Sequence, residues 1–191
     1  VASIFSDNRN LATIIEPEFN LQWKSFKGQI GLNLSQYEVR GGSLEQERLQ
    51  QTRSAIFSSL QYQTDRLQIS GSLRQAWTDQ LRIPLMPDLG LTWIILPNAQ
   101  FRARVNRSFR QPTFNDLYWN PGGNPELLSE SGWQAEAGTD WYWAKQEFHL
   151  SLYQGRVENW IQWIPGPQFW FPQNLKDVRI RGLESRWKGQ W

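Results

Sequence analysis

The sequence predicts an all-β fold, part of an antiparallel transmembrane β-barrel of about nine strands with short periplasmic turns and long extracellular loops. Three observations carry that prediction. Apolar residues recur with period two through most of the 191 residues, and helix-period stripes are scarce. The connections sort by length, short ones alternating with long ones. Tryptophans gather near the short connections, where a barrel carries an aromatic girdle.

The first candidate strand, Asn10 to Trp23, keeps Phe19, Leu21 and Trp23 on one parity but contains Pro17, which marks a bulge or a solvated strand end. In the second, Gly28 to Glu38, Ile30, Leu32 and Leu34 alternate with Gln29, Asn33 and Ser35. The third, Ser54 to Gln63, divides its apolar residues, with Ile56, Leu60 and Tyr62 on one face and Ala55 and Phe57 on the other. Leu67, Ile69, Leu73 and Trp77 define the fourth. Pro84 and Pro87 delay the fifth, which runs through Leu89, Leu91 and Trp93. Ala99, Phe101, Ala103 and Val105 form the apolar parity of the sixth, and Trp133, Ala135, Ala137, Trp141 and Trp143 that of the seventh. Phe148, Leu150 and Leu152 mark the eighth, and Asn174 to Glu184 the ninth. One greasy and one polar face per strand is the period-two signature.

Short turns are expected around Lys24–Lys27, Thr64–Arg66, Leu96–Asn98, Ala144–Gln146 and Lys188–Gln190. Long links are expected near residues 39–53, 79–87, 108–132 and 161–177. Trp23, Trp93, Trp141, Trp143, Trp187 and Trp191 all lie close to a short turn, where an indole can keep its ring in lipid and its N–H among headgroups. A segment such as Leu67 to Thr78, at about 3.3 Å per residue and a tilt near 45°, crosses roughly 28 Å, close to the hydrocarbon thickness.

Composition narrows the possibilities. The longest apolar runs are four residues, Trp93–Leu96 and Trp141–Ala144, so no helix spans a bilayer. There is no Cys, which removes disulfides, thiolate metal sites and Cys nucleophiles. Lys and Arg number 20 against 18 Asp and Glu, a balance that gives nucleic acid no electrostatic handle. Neither a signal-peptide pattern nor an initiating Met opens the chain, and Val1 to Trp191 reads as a piece of something longer.

From Ala99 onward the chain resembles the TonB-dependent outer-membrane receptors, in particular the vitamin B12 and siderophore receptor branch. The resemblance is carried by Ser108-Phe109-Arg110-Gln111-Pro112-Thr113-Phe114-Asn115-Asp116-Leu117-Tyr118, by Gly123-Asn124-Pro125-Glu126-Leu127 and by Glu130 to Gly138. Glu158-Asn159-Trp160-Ile161-Gln162-Trp163 and Ile180-Arg181-Gly182-Leu183-Glu184 extend it. Ser129 stands where the family usually has Pro. The resemblance implies that residues 1–191 are part of a barrel of about 22 strands, with the plug domain and the C-terminal barrel strands lying outside this stretch. It implies a Gram-negative outer-membrane transporter of a scarce nutrient such as siderophore-iron or cobalamin. Its partners would be outer-membrane lipid and, through the plug, a TonB-type energy-coupling protein. No cofactor is implied.

Candidate ligand-binding residues fall in the lumen and the outer loops. Arg102 and Arg104 lie on the polar parity of a strand near Glu136 and Asp140 of the next, and Arg107 and Arg110 stand where that strand enters a long loop. These arginines serve either a lumenal salt-bridge ladder or recognition of an anionic ligand. Asp116, Tyr118 and Trp119 in one loop, and Trp163 and Trp170 in another, offer groups that could contact a ligand or pack the loops together. Enzymatic activity is not expected. His149 is the single His, sits on a polar parity and has no Ser-His-Asp arrangement around it in the sequence. The competing architecture is a soluble Trp-rich β-sandwich that binds carbohydrate, which would need its Trp residues spread over one solvent-facing sheet.

Overall fold

A computed structural model describes residues 8–42, 44, 48–78, 81 and 83–189. Ten strands and one short helix follow in order: β1 (Asn8–Ile15), β2 (Glu18–Trp23), β3 (Phe26–Gly41), β4 (Arg48–Gln63), β5 (Leu67–Thr78), β6 (Met86–Leu96), β7 (Ala99–Arg110), α1 (Phe114–Tyr118), β8 (Glu130–Trp143), β9 (Gln146–Pro165) and β10 (Trp170–Gly189). They form one antiparallel sheet in sequence order, with β1 and β2 both paired to β3. A sandwich needs two stacked sheets. Here neighbouring strands simply follow one another, as in a barrel wall.

The first candidate strand divides into β1 and β2 at Glu16 and Pro17 without losing its place. Ile15 pairs with Leu34 and Glu18 with Gly31, one continuous register along β3. Pro17 has no N–H to give the ladder, but its carbonyl still accepts from the Leu32 N–H at 3.1 Å. Nine strand positions thus lie across the sheet. Pro87 falls inside β6 rather than before it. It pairs with Leu73 of β5, and pairing with β7 begins only at Asp88, so the missing donor interrupts neither ladder.

Residues opposite each other in an antiparallel pair point to the same face, so the registers trace each face across the sheet. At the short-turn end one face carries Trp23 beside Phe26 beside Tyr62, then Trp93 beside Phe101, then Trp141 beside Phe148 beside Trp187. These rows are the predicted girdle. The same face leaves Leu32, Leu60, Leu89, Leu152 and Leu183 half or more exposed. A soluble monomer rarely shows apolar patches beyond a few hundred Å², whereas lipid makes such a face favourable. The buried hydrophobic cluster, Leu117, Leu127 and Ile161 with Tyr118 against it, lies instead at the long-loop end.

The opposite face is polar. Phe57, the residue that divided the alternation of the third candidate strand, sits on it directly across from Gly31, where any β-carbon would collide with the Phe57 ring. Arg74 covers the ring from the other side at 5.5 Å. Tyr153 lies over Gly182 in the same way. Glycine here makes room for an aromatic ring on a crowded face.

Two-residue turns join β2 to β3 and β8 to β9, with Lys24 and Ala144 at φ 49° and 52°. At the other end pairing runs further than alternation suggests. β3 and β4 pair out to Arg40 and Arg48, so strand takes up much of the link expected over 39–53. β9 and β10 continue to Pro165 and Trp170, and the link expected over 161–177 is residues 166–169, closed by Gly166 N–H donating to the Phe169 carbonyl at 3.0 Å. Away from the apolar band the strands still have to satisfy their backbone donors by pairing, but nothing there enforces one greasy face, so the period disappears. Residues 111–129 remain a long loop. The turn expected at Lys188–Gln190 begins inside β10, and its Gln190, like the girdle residue Trp191, lies outside the described residues.

Candidate functional site

Two clusters and one displaced residue account for most of the predicted site. The first cluster lies on the polar face of β7 and β8. Asp140, 2% exposed, accepts from Gln100 Nε2 at 2.8 Å, from Arg102 Nε and Nη2 at 2.6 and 2.9 Å, and from His149 Nδ1 at 2.6 Å. A carboxylate can only accept, so the His149 tautomer in this contact is the one protonated at Nδ1. Four donors saturate the carboxylate and hold the guanidinium of Arg102 in a bidentate fork.

Arg104 turns the other way. Its Nε donates to Asp88 Oδ1 at 3.0 Å and its Nη2 to Oδ2, while Glu136, its cross-strand neighbour on β8, accepts from Ser151 Oγ at 2.9 Å. Asp88 follows Pro87 in β6, ahead of the Leu89, Leu91 and Trp93 alternation, and pairing with β7 starts at it. Arg102, Arg104, Asp88 and Glu136, with Gln68 and Ser70 of β5, line a cavity of about 400 Å³ open on the polar face.

The second cluster organises the 111–129 loop. Thr113 caps α1: its Oγ1 accepts from Asp116 N–H at 3.1 Å, and Asp116 Oδ2 accepts from Thr113 N–H at 2.9 Å. Thr113-x-x-Asp116 after Pro112 is a capping-box pattern, and it starts a short helix inside the long link expected over 108–132. Asp116 Oδ1 accepts from Trp163 Nε1 at 2.9 Å, and Arg110 approaches Oδ2 at 3.6 Å. Arg110 also donates to Glu130 Oε1 at 2.6 Å, and the same oxygen accepts from Ile161 N–H at 2.7 Å. Trp119 meets Trp163 edge-on at 5.7 Å. Arg110, Asp116, Trp119 and Trp163 therefore come together, joining the loop to β9. Tyr118 packs on the Leu117–Leu127–Ile161 cluster. Trp170 stands apart, 56% exposed at the start of β10.

Arg107 belongs to neither cluster. It lies within β7, not in the loop, on the parity of Phe101 and Val105, directly across from Trp133 with its guanidinium 5.9 Å from the indole centroid. Arg107 therefore faces away from Arg102 and Arg104. Odd and even positions point to opposite faces, and the step from 104 to 107 changes parity.

A single antiparallel sheet with one aromatic-girdled apolar face and one charged face is the wall of a β-barrel. Residues 3–191 match the family described as TonB dependent receptor-like, beta-barrel, and the chain belongs to that family. It is 36% identical over 99 residues to the vitamin B12 transporter BtuB of Vibrio vulnificus, covering 51% of this chain and 16% of that protein. It is 26% identical over 136 residues to BtuB of Photobacterium profundum, covering 69% and 22%. Among solved structures, the siderophore receptor PirA from Pseudomonas aeruginosa superposes with a TM-score of 0.82 over 95% of this chain and 40% of that one, at 14% identity. At that identity the likeness is one of fold. The chain spans under a quarter of the length of either vitamin B12 transporter.

Proposed function

We propose that this chain is barrel wall from a Gram-negative outer-membrane receptor that takes up a scarce nutrient, siderophore-iron, cobalamin or a similar molecule. Membership of the receptor family carries the reading. The girdled apolar face supports insertion in a bilayer, and the polar face supports a water-accessible interior.

Within that interior Arg102 and Arg104 combine two roles. Each is fixed by a carboxylate, yet their side chains stay 43% and 62% exposed beside the cavity. Pre-oriented guanidinium edges of this kind suit carboxylate, phosphate or hydroxamate oxygens on an incoming ligand. Arg110, Asp116, Trp119 and Trp163 act by shaping the outer loop, and Tyr118 by seating it. Trp170 offers an exposed indole to a flat ligand at the mouth. Arg107 faces the membrane side. Energy is supplied by a TonB-type protein pulling on a plug, with no covalent chemistry in the barrel.

Because two relatives are named as vitamin B12 transporters, cobalamin is the first nutrient to test. In a Gram-negative host lacking its own vitamin B12 receptor, the full-length protein is expected to restore cobalamin-dependent growth, and removal of the host's TonB-type protein to abolish it. Growth that is restored on a ferric siderophore alone would redirect the substrate. Restoration of neither, with the protein present in the outer membrane, would reject the nutrient reading.

A further inference from the structure

The outward face of β7–β10 carries a row of cations above its apolar band. Arg107 pairs with Trp133, Trp133 with Arg156, and Arg156 with Arg179, so these four stand side by side on four adjacent strands. Arg181 lies one step lower on the same face, two residues from Leu183. Gln154 stands across from Arg181, and below them the face carries Val105, Ala135, Leu152 and Leu183. Barrel strands normally avoid charge on this face, where Arg is costly near the midplane and tolerated close to the interfaces.

Height supports the interfacial placement. From the Trp141–Phe148–Trp187 row to the Arg107–Trp133–Arg156–Arg179 row is eight residues along each strand. That is about 26 Å of strand, or about 20 Å of height at a tilt near 40°, close to the top of an apolar band roughly 25 Å tall. Arg156 is paired, to Asp177 at 3.1 Å, and Arg107 reaches Ser131 Oγ at 3.1 Å. Arg179 and Arg181 are exposed and make no hydrogen bond or ion pair with any described residue. Two free guanidinium groups, one strand beyond the Trp133–Arg156 pair and at the level where acyl chains end, complement an anion fixed at that same depth.

We propose that this patch is a binding site for lipid-borne phosphate, the headgroup phosphate of a phosphorylated glycolipid in the outer leaflet. The inference rests on the outer-membrane reading above. A lipid fits better than a free anion, because the arginines adjoin the apolar stripe formed by Leu152 and Leu183, which would hold the acyl chains of the same molecule.

The test uses the full-length receptor in detergent micelles, with diphosphorylated lipid A, the same lipid stripped of phosphate, and inorganic phosphate as probes. The double variant Arg179→Gln/Arg181→Gln removes charges that hold no partner, so the barrel should remain resistant to SDS until heated. Its affinity for diphosphorylated lipid A is expected to fall about tenfold or more. The short-turn variant Lys145→Gln/Lys188→Gln should bind as wild type, stripped lipid should bind both weakly, and millimolar inorganic phosphate should not compete. Unchanged lipid affinity in the double variant, equal binding of stripped lipid, or displacement by inorganic phosphate would each overturn the site. Fractionation separates the two levels: protein in the outer membrane without this lipid preference rejects only the site, whereas protein absent from that membrane rejects the underlying reading as well.

Discussion

Arg102 and Asp140 meet through two hydrogen bonds, 2.6 and 2.9 Å, from adjacent strands on the polar face of the sheet. Asp140 is buried while Arg102 keeps 43% of its side chain exposed, so the carboxylate is the half that depends on the pair. Asp140→Asn keeps the shape but loses the charge that Gln100, Arg102 and His149 share. We expect a loss of about 1–2 kcal/mol, below the cost of breaking a wholly buried pair because solvent screens the arginine. Thermal unfolding of the full-length receptor in detergent measures it. A variant as stable as wild type would show that the fork contributes only order.

The Gly31–Phe57 pair predicts a steric coupling. Gly31→Val should destabilise the barrel by about 1–3 kcal/mol, since the Phe57 ring occupies the space of the new side chain. Phe57→Ala in the same chain should recover part of that loss. A cycle with no coupling energy would mean that the ring moves aside freely.

Asp116 ties α1 to β9 through Trp163. In Asp116→Ala the capping box and the indole contact go together, so residues 111–129 should become the first site of limited proteolysis while the strands persist. Proteolytic mapping at low protease reads this directly. Protection equal to wild type would place the hold on the loop in the Leu117–Leu127–Ile161 cluster alone.

Glu38 stands on the outward parity of β3, beyond the last apolar residue of that parity, Leu34. Hydrogen bonds from Arg48, Gln50 and Arg40 lower its pKa from 4.5 to about 2. A carboxyl depressed on folding stabilises the folded state above its unfolded pKa, and that contribution fades as pH falls from 4.5 toward 2. Wild type should therefore exceed Glu38→Gln in thermal stability at pH 6, with the difference vanishing by about pH 2 to 3. A difference that is constant with pH would deny the ionised pair a role.

Much of this architecture was legible because barrel strands write their two faces into the sequence. Leu67, Ile69 and Leu73 announce β5, and Trp141 beside the Ala144 turn announces the girdle. Legibility ended where lipid stopped enforcing alternation. Trp163 and Trp170 looked like loop residues, but they lie in a tall hairpin held by backbone pairing that carries no side-chain period. The site was half legible for a similar reason. Parity correctly set Arg102 and Arg104 on the polar face and also assigns Arg107 to the other, once β7 is seen to continue through it. Asp88 and Glu130 depended on register between strands, and register is fixed by pairing partners rather than by either strand alone.

A barrel wall requires that odd and even positions of these strands meet different solvents. Leu150 and Ser151 are adjacent on β9, Leu150 across from Thr139 on the girdled face and Ser151 donating to Glu136 on the polar face. Residues 1–191 contain no Cys, so a single Cys at either position is the one thiol in this stretch of the full-length receptor in intact outer membrane. A water-soluble maleimide, applied after the plug has been loosened with urea, should label Ser151→Cys and spare Leu150→Cys. Equal labelling of the two, or labelling of Leu150→Cys alone, would contradict the barrel.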